Sequence, residues 1–148
     1  MPQEITPSNS PGLYTLIRMK LASSEIRSDA DLVRLVEEQL PADTVRSLVR
    51  GGLTDAEAYQ LIVPRRTLAH RVAKKQFLSR EESDKAVRVA RITAMAERAF
   101  GDAARAWRWL RKPKDRFDGK TPIEMVSSEA GARMVEEMIV QIDDGIFA

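Results

Sequence analysis

The chain has 148 residues, no cysteine, a formal net charge of +2, 31% charged residues and only 5% aromatic ones. That length suits one domain or two small helical ones, burying roughly 68–70% of the unfolded surface. The missing thiols exclude disulfides and thiolate metal sites. With no run near 18 apolar residues and no signal-peptide core in MPQEITPSNSPG, the expectation is a soluble cytoplasmic protein whose composition favours helices over sheets.

Residues 1–12 carry three prolines, one glycine and two serines, and read as a disordered arm. Leu13, Leu16, Ile17 and Leu21 recur at helical spacing. So do Leu32, Leu35, Val36 and Leu40, behind a capping pattern of Ser28 with Asp31. Pro41 suits the first turn of a third helix, with Val45, Leu48 and Val49 on its apolar face and Gly51-Gly52 as its stop.

Three sharper signals follow. Thr54-Asp55-Ala56-Glu57 is a capping box, and the helix it opens must be short because Pro64 forbids continuation. Pro64 can instead open a basic helix from Arg65 to Lys75. Ser79-Arg80-Glu81-Glu82 is a second capping box, opening a long helix expected to reach Phe100 before Gly101. A short helix, a tight Ile62-Val63-Pro64 connection, a basic helix and a long helix make the order of a helix-turn-helix unit.

Beyond Gly101, Asp102 can cap a helix holding Trp107, Trp109 and Leu110, and Lys112 to Gly119 reads as a loop. Thr121-Pro122-Ile123-Glu124 joins a capping box to a proline at the first helical position. A last helix from about Ser128 shows Val135, Met138, Ile139 and Ile142 on one face, with Gly145 as its stop. No segment reads as a strand. The expected fold is all-α, with residues 1–12 an arm, 13–100 a helix-turn-helix and dimerisation domain, and 101–148 a second helical domain.

Charge divides the chain. From Ile62 to Arg91 nine Lys and Arg face Glu81, Glu82 and Asp84, a net of +6. From Thr121 to Ala148 six acids face Arg133 alone, a net of −5. A basic middle and an acidic end imply two different partners. In the basic helix, Leu68 and Val72 would anchor one side. Arg65, Arg66, Thr67, His70 and Arg71 would then reach base edges in a major groove, with Lys74 and Lys75 nearer the phosphates; the bland alternative is a solvated face. Trp107 and Trp109 lie about 200° apart on a helix, so one points inward and the other is a partner-contact candidate. The end, Asp143-Asp144-Gly145-Ile146-Phe147-Ala148, sets two large apolar side chains after a helix stop, which suggests a tail that docks, either on its own core or in a partner's pocket.

Catalysis has little to stand on. There is one histidine, no cysteine, and neither a nucleophile elbow, a phosphate-binding loop nor a dinucleotide fingerprint. Asp143-Asp144 reads as a solvated pair rather than a metal site. No catalytic residue, cofactor or metal is expected.

Two motif blocks, in order, resemble the Xre/MbcA/ParS antitoxins. The first is Gly52-Leu53-Thr54, Glu57, Ile62-Val63-Pro64-Arg65-Arg66-Thr67-Leu68 and Arg71, continuing into Leu78-Ser79 and Glu82-Ser83-Asp84. The second is Ala106, Trp109-Leu110, Pro113 and Gly119-Lys120-Thr121-Pro122, then Gly131, Val135, Ile142 and Gly145-Ile146-Phe147. The resemblance spans about Gly51 to Ala148. It implies a type II antitoxin that forms dimers, represses its own operon by binding operator DNA, and pairs with a RES-domain toxin, an enzyme that consumes NAD. It also implies that the C-terminal part, with Trp109 and the tail from Asp143 to Ala148, binds the toxin. An NAD-degrading cleft must accept a dinucleotide's phosphates. An acidic tail (Asp143, Asp144 and the carboxylate of Ala148) with apolar plugs (Ile146, Phe147) would complement it in charge and shape. The competing readings are a stand-alone helix-turn-helix regulator and a small nucleic-acid-processing enzyme.

Overall fold

Helices in this chain begin where the sequence supplies a side-chain oxygen to receive the orphan N–H groups of a first turn. The computed structural model describes residues 11–145. Its elements are α1 (Leu13–Leu21), α2 (Asp29–Glu38), α3 (Thr44–Arg50), α4 (Asp55–Leu61), α5 (Arg65–Ala73), α6 (Arg80–Phe100), α7 (Ala103–Leu110), a 3-10 turn (Asp115–Phe117), α8 (Pro122–Met125) and α9 (Glu129–Asp143). The fold is all-α.

The three expected capping boxes all close. At α4, Thr54 Oγ1 accepts from the Glu57 N–H at 3.1 Å while the Thr54 N–H donates to Glu57 Oε1 at 2.9 Å. Ser79 with Glu82 does the same at α6, and Thr121 with Glu124 at α8, where Pro122 opens the helix. Asp102 caps α7 and Ser128 caps α9. Gly145, at φ +78°, follows α9 and donates its N–H to the Ile142 carbonyl at 3.0 Å, the expected helix stop.

Three local features differ from the sequence expectation. Pro41 does not open α3, which starts at Thr44. The Leu78 N–H donates to the Leu40 carbonyl at 2.7 Å and the Ala42 N–H to the Gln76 carbonyl at 3.1 Å, so Pro41 sits in a two-bond bridge opposite Phe77. At α2, Asp31 accepts the Arg27 N–H at 2.8 Å and not that of Ser28, leaving half a capping box. α5 ends at Ala73 rather than Lys75. Lys75 adopts φ +53°, and its N–H and that of Gln76 fold back onto the Val72 and Arg71 carbonyls at 3.1 and 2.8 Å, a Schellman ending built without glycine.

The core is one contiguous cluster running from Ile17 in α1 to Ile139 in α9. At its centre lies α6, 21 residues long, whose buried Ala86, Ala90, Ala94 and Ala96 let neighbouring helices approach closely. It packs against α1, α2, α7 and α9. The helix-turn-helix segment and the C-terminal helices therefore share a single structural axis.

Candidate nucleic-acid and partner interfaces

The α4–α5 turn is built on buried Ile62 and Val63, and Leu68 with half-buried Val72 pins α5 to the core. That leaves Arg65, Arg66, Ala69, His70 and Ala73 outward. Ala69 and Ala73 form a low strip with Arg65, Arg66 and His70 standing beside it, a relief that lets backbone or bases come close. Lys74 and Lys75 are exposed just past the helix end. Among the described residues, the side chains of Arg65, Arg66, His70, Lys74 and Lys75 have no ion-pair partner. Uncommitted cations on one surface are what a polyanion needs.

Arg71 and Thr67 stand elsewhere than the spacing argument put them. Thr67 is half-buried. Arg71 turns toward α6: its guanidinium is 2.7 Å from Glu82 Oε1 and donates to the Phe77 carbonyl at 3.1 Å. Glu82 is also the capping-box residue of α6, so Arg71 ties the end of α5 to the start of α6. Through Nη1 it positions the basic helix.

The tryptophans divide as their spacing requires. Trp107 is 8% exposed and Trp109 half-buried. Trp107 Nε1 donates to Glu97 Oε1 at 3.1 Å, and Lys20 Nζ lies 2.8 Å from the same oxygen. Arg111 covers the Trp107 ring at 4.5 Å and donates to the Gly52 carbonyl and to Glu57 Oε1, both at 2.8 Å. Burial would raise the Glu57 carboxyl, but the Arg111 guanidinium and the Thr54 N–H and hydroxyl outweigh it and hold Glu57 below the usual carboxylate range. This junction ties α1 and α4 to α6 and α7. Sequence reading missed it entirely, although Lys20 stands one turn from Ile17 on an otherwise apolar face.

Trp109 sits on Phe100 with ring centres 5.7 Å apart, and Lys114 Nζ lies 5.2 Å over its ring. Burial, reinforced by Lys112, lowers the Lys114 ammonium from its ordinary value. Arg91 grips Glu136 through two hydrogen bonds of 2.9 and 3.2 Å and locks α9 onto α6. Beyond that grip Met134, Val140, Asp143, Asp144 and Gly145 face outward. Ile146, Phe147 and Ala148 lie outside the described residues. Between α2, α6 and α9 runs an open groove of about 540 Å³ lined by Leu32, Val33 and Val36 and by charges of both signs.

The sequence of the α2-to-α6 part, residues 31–91, matches the family described as the antitoxin Xre-like helix-turn-helix domain. Residues 95–145 match the antitoxin Xre/MbcA/ParS C-terminal toxin-binding domain. One relative, the antitoxin Xre of Pseudomonas putida, is 44% identical over 122 residues, which span 82% of this chain and 76% of that protein.

Proposed function

The chain belongs to the Xre-type antitoxins, regulatory proteins and not enzymes, and from that premise we propose that it silences an NAD-degrading RES-domain toxin and represses its own operon. In this reading Arg65, Arg66, His70, Lys74 and Lys75 meet operator DNA, while Arg71 holds that surface in place. Trp109 and the segment from Asp143 to Ala148 meet the toxin, the tail entering the cleft where NAD would bind. The working division is residues 13–100 for DNA and dimerisation and 101–148 for toxin. The 540 Å³ groove between α2, α6 and α9 supports a homodimer, because its mixed charges and apolar lining can complement a second copy of themselves.

The observation that carries the reading is the separation of exposed charge. Uncommitted cations gather on α5 and the turn after it, whereas α9 ends in exposed Asp143 and Asp144 beside exposed Val140. A cationic dinucleotide cleft attracts the second surface and DNA attracts the first.

Co-purification with the toxin and an NAD-consumption assay test it. Deleting Ile146, Phe147 and Ala148 should release toxin activity while the antitoxin's melting temperature stays unchanged. Phe147→Ala should release it in part, since losing one aromatic anchor commonly costs about 2 kcal/mol or more. A truncated antitoxin that still silences the toxin fully would remove the tail from the mechanism.

A further inference from the structure

A second basic feature flanks α5 on the side toward α3 and α4. α3, α4 and α5 enclose an open groove of about 380 Å³, floored by Val49, Tyr59 and Ala69 among others. Three guanidiniums line it: Arg46 and Arg50 from α3, and Arg65 from the first turn of α5, against a single carboxylate, Asp55. Their commitments inside the fold are slight. Arg46 reaches Asp43 only at 3.5 Å, with both side chains more than 60% exposed. Arg50 donates to the Ser47 hydroxyl at 3.0 Å, a neutral acceptor that leaves its charge uncompensated. Arg65 has no ion-pair partner among the described residues.

Ala69 belongs both to the outward strip of α5 and to this groove, so the arginine rim continues the recognition surface without a break. We infer that α3 is part of the DNA-binding surface, with Arg46 and Arg50 gripping backbone phosphates of the strand beside the groove that α5 enters. The occupant is a polyanion because the rim holds three cations to one acid. It is duplex DNA rather than a small anion, because the rim is open, exposed and continuous with the helix-turn-helix. Guanidiniums suit it, since their forked donors match phosphate oxygens. Such contacts fix register and orientation and read no sequence.

The inference rests on the DNA-binding reading, and its test separates the two. Two duplexes of equal length serve as probes, one carrying the promoter of the chain's own operon and one with that sequence scrambled. Each is titrated by fluorescence anisotropy over a range of salt. Arg46→Ala and Arg50→Ala should each lower the magnitude of the log–log salt slope by about 0.9 and weaken both duplexes by the same factor. Arg66→Ala serves as the internal reference and should weaken the promoter duplex more than the scrambled one. Arg46→Lys with Arg50→Lys should keep most of the slope, which a packing role for these side chains would not predict. Unchanged slopes in the alanine variants, with Arg66→Ala still damaging, would overturn the α3 assignment alone. Loss confined to the promoter duplex would overturn the phosphate role. A wild-type chain that binds neither duplex would overturn the helix-turn-helix reading and this inference with it.

Discussion

Gly52→Ala tests the junction between the two halves most directly. Gly52 holds φ +127°, a region that side-chain-bearing residues rarely adopt, so any Cβ there costs about 1–3 kcal/mol of backbone strain. The added carbon would also lie 2.6 Å from Trp107 Cε2 and 2.9 Å from Cζ2, and closer still to Nε1. The ring would have to withdraw by about 1 Å to recover ordinary contact distances of roughly 3.5–4.0 Å. Room is scarce, because Arg111 lies over the ring at 4.5 Å and Glu97 holds Nε1 at 3.1 Å. Overpacking of that kind costs about 1–3 kcal/mol. The two contributions give about 4 kcal/mol at their centre, or a melting temperature lower by roughly 8–16 °C for a chain of this length.

Gly101→Ala supplies the control. Gly101 is also left-handed, at φ +68°, but an added Cβ meets no heavy atom within 4 Å. It should show the backbone cost alone, about 1–2 kcal/mol. Thermal unfolding followed by circular dichroism compares the two variants. Repeating Gly52→Ala in a Trp107→Ala background should shrink its cost to the backbone strain alone, about 1–3 kcal/mol, because the clashing ring is gone. A melting temperature for Gly52→Ala no lower than that of Gly101→Ala would mean that Trp107 does not lie on Gly52, and the junction as described would be wrong.

Arg66→Ala should weaken promoter binding without changing the melting temperature, whereas Arg71→Ala should lower the melting temperature by severing α5 from Glu82; equal melting curves would return Arg71 to the DNA-reading face. Glu97→Ala should destabilise by about 3–5 kcal/mol in urea denaturation, because it strands Lys20, whose side chain is 6% exposed, without its partner; a cost below about 1 kcal/mol would show that the pair is solvated. Glu57, whose folded pKa lies below its ordinary value of 4.5, adds stability that is fully present above that value and is lost as pH falls through the folded pKa. Urea midpoints measured from pH 6 downward should therefore fall less steeply for Glu57→Gln than for the wild type, and parallel profiles would contradict the Arg111 pairing.

What was legible in the sequence was local. Capping boxes work across three residues, so Thr54 with Glu57, Ser79 with Glu82 and Thr121 with Glu124 announced their helices from spacing alone, and the structure closes all three. Pro64 separated α4 from α5 for an equally local reason, its missing donor and its constraint on the residue before it. Pro41 misled because its fate was decided 36 residues away: the bridge through Leu40 and Ala42 to Gln76 and Leu78 claims the backbone that a first helical turn would have used. Arg71 misled similarly, since periodicity places it beside Thr67 but cannot see that this side of α5 faces Glu82. The junction was least legible, because Lys20 and Glu97 are separated by 77 residues and Glu57 and Arg111 by 54. One trace was nonetheless written in the local pattern. Lys20 falls one turn after Ile17 on the face that buries α1, and Glu97 falls one turn after Ala94 on the buried side of α6. A charge on a buried face needs a counter-charge. Two such anomalies of opposite sign are therefore candidates for each other on helical periodicity alone, and here they meet at 2.8 Å.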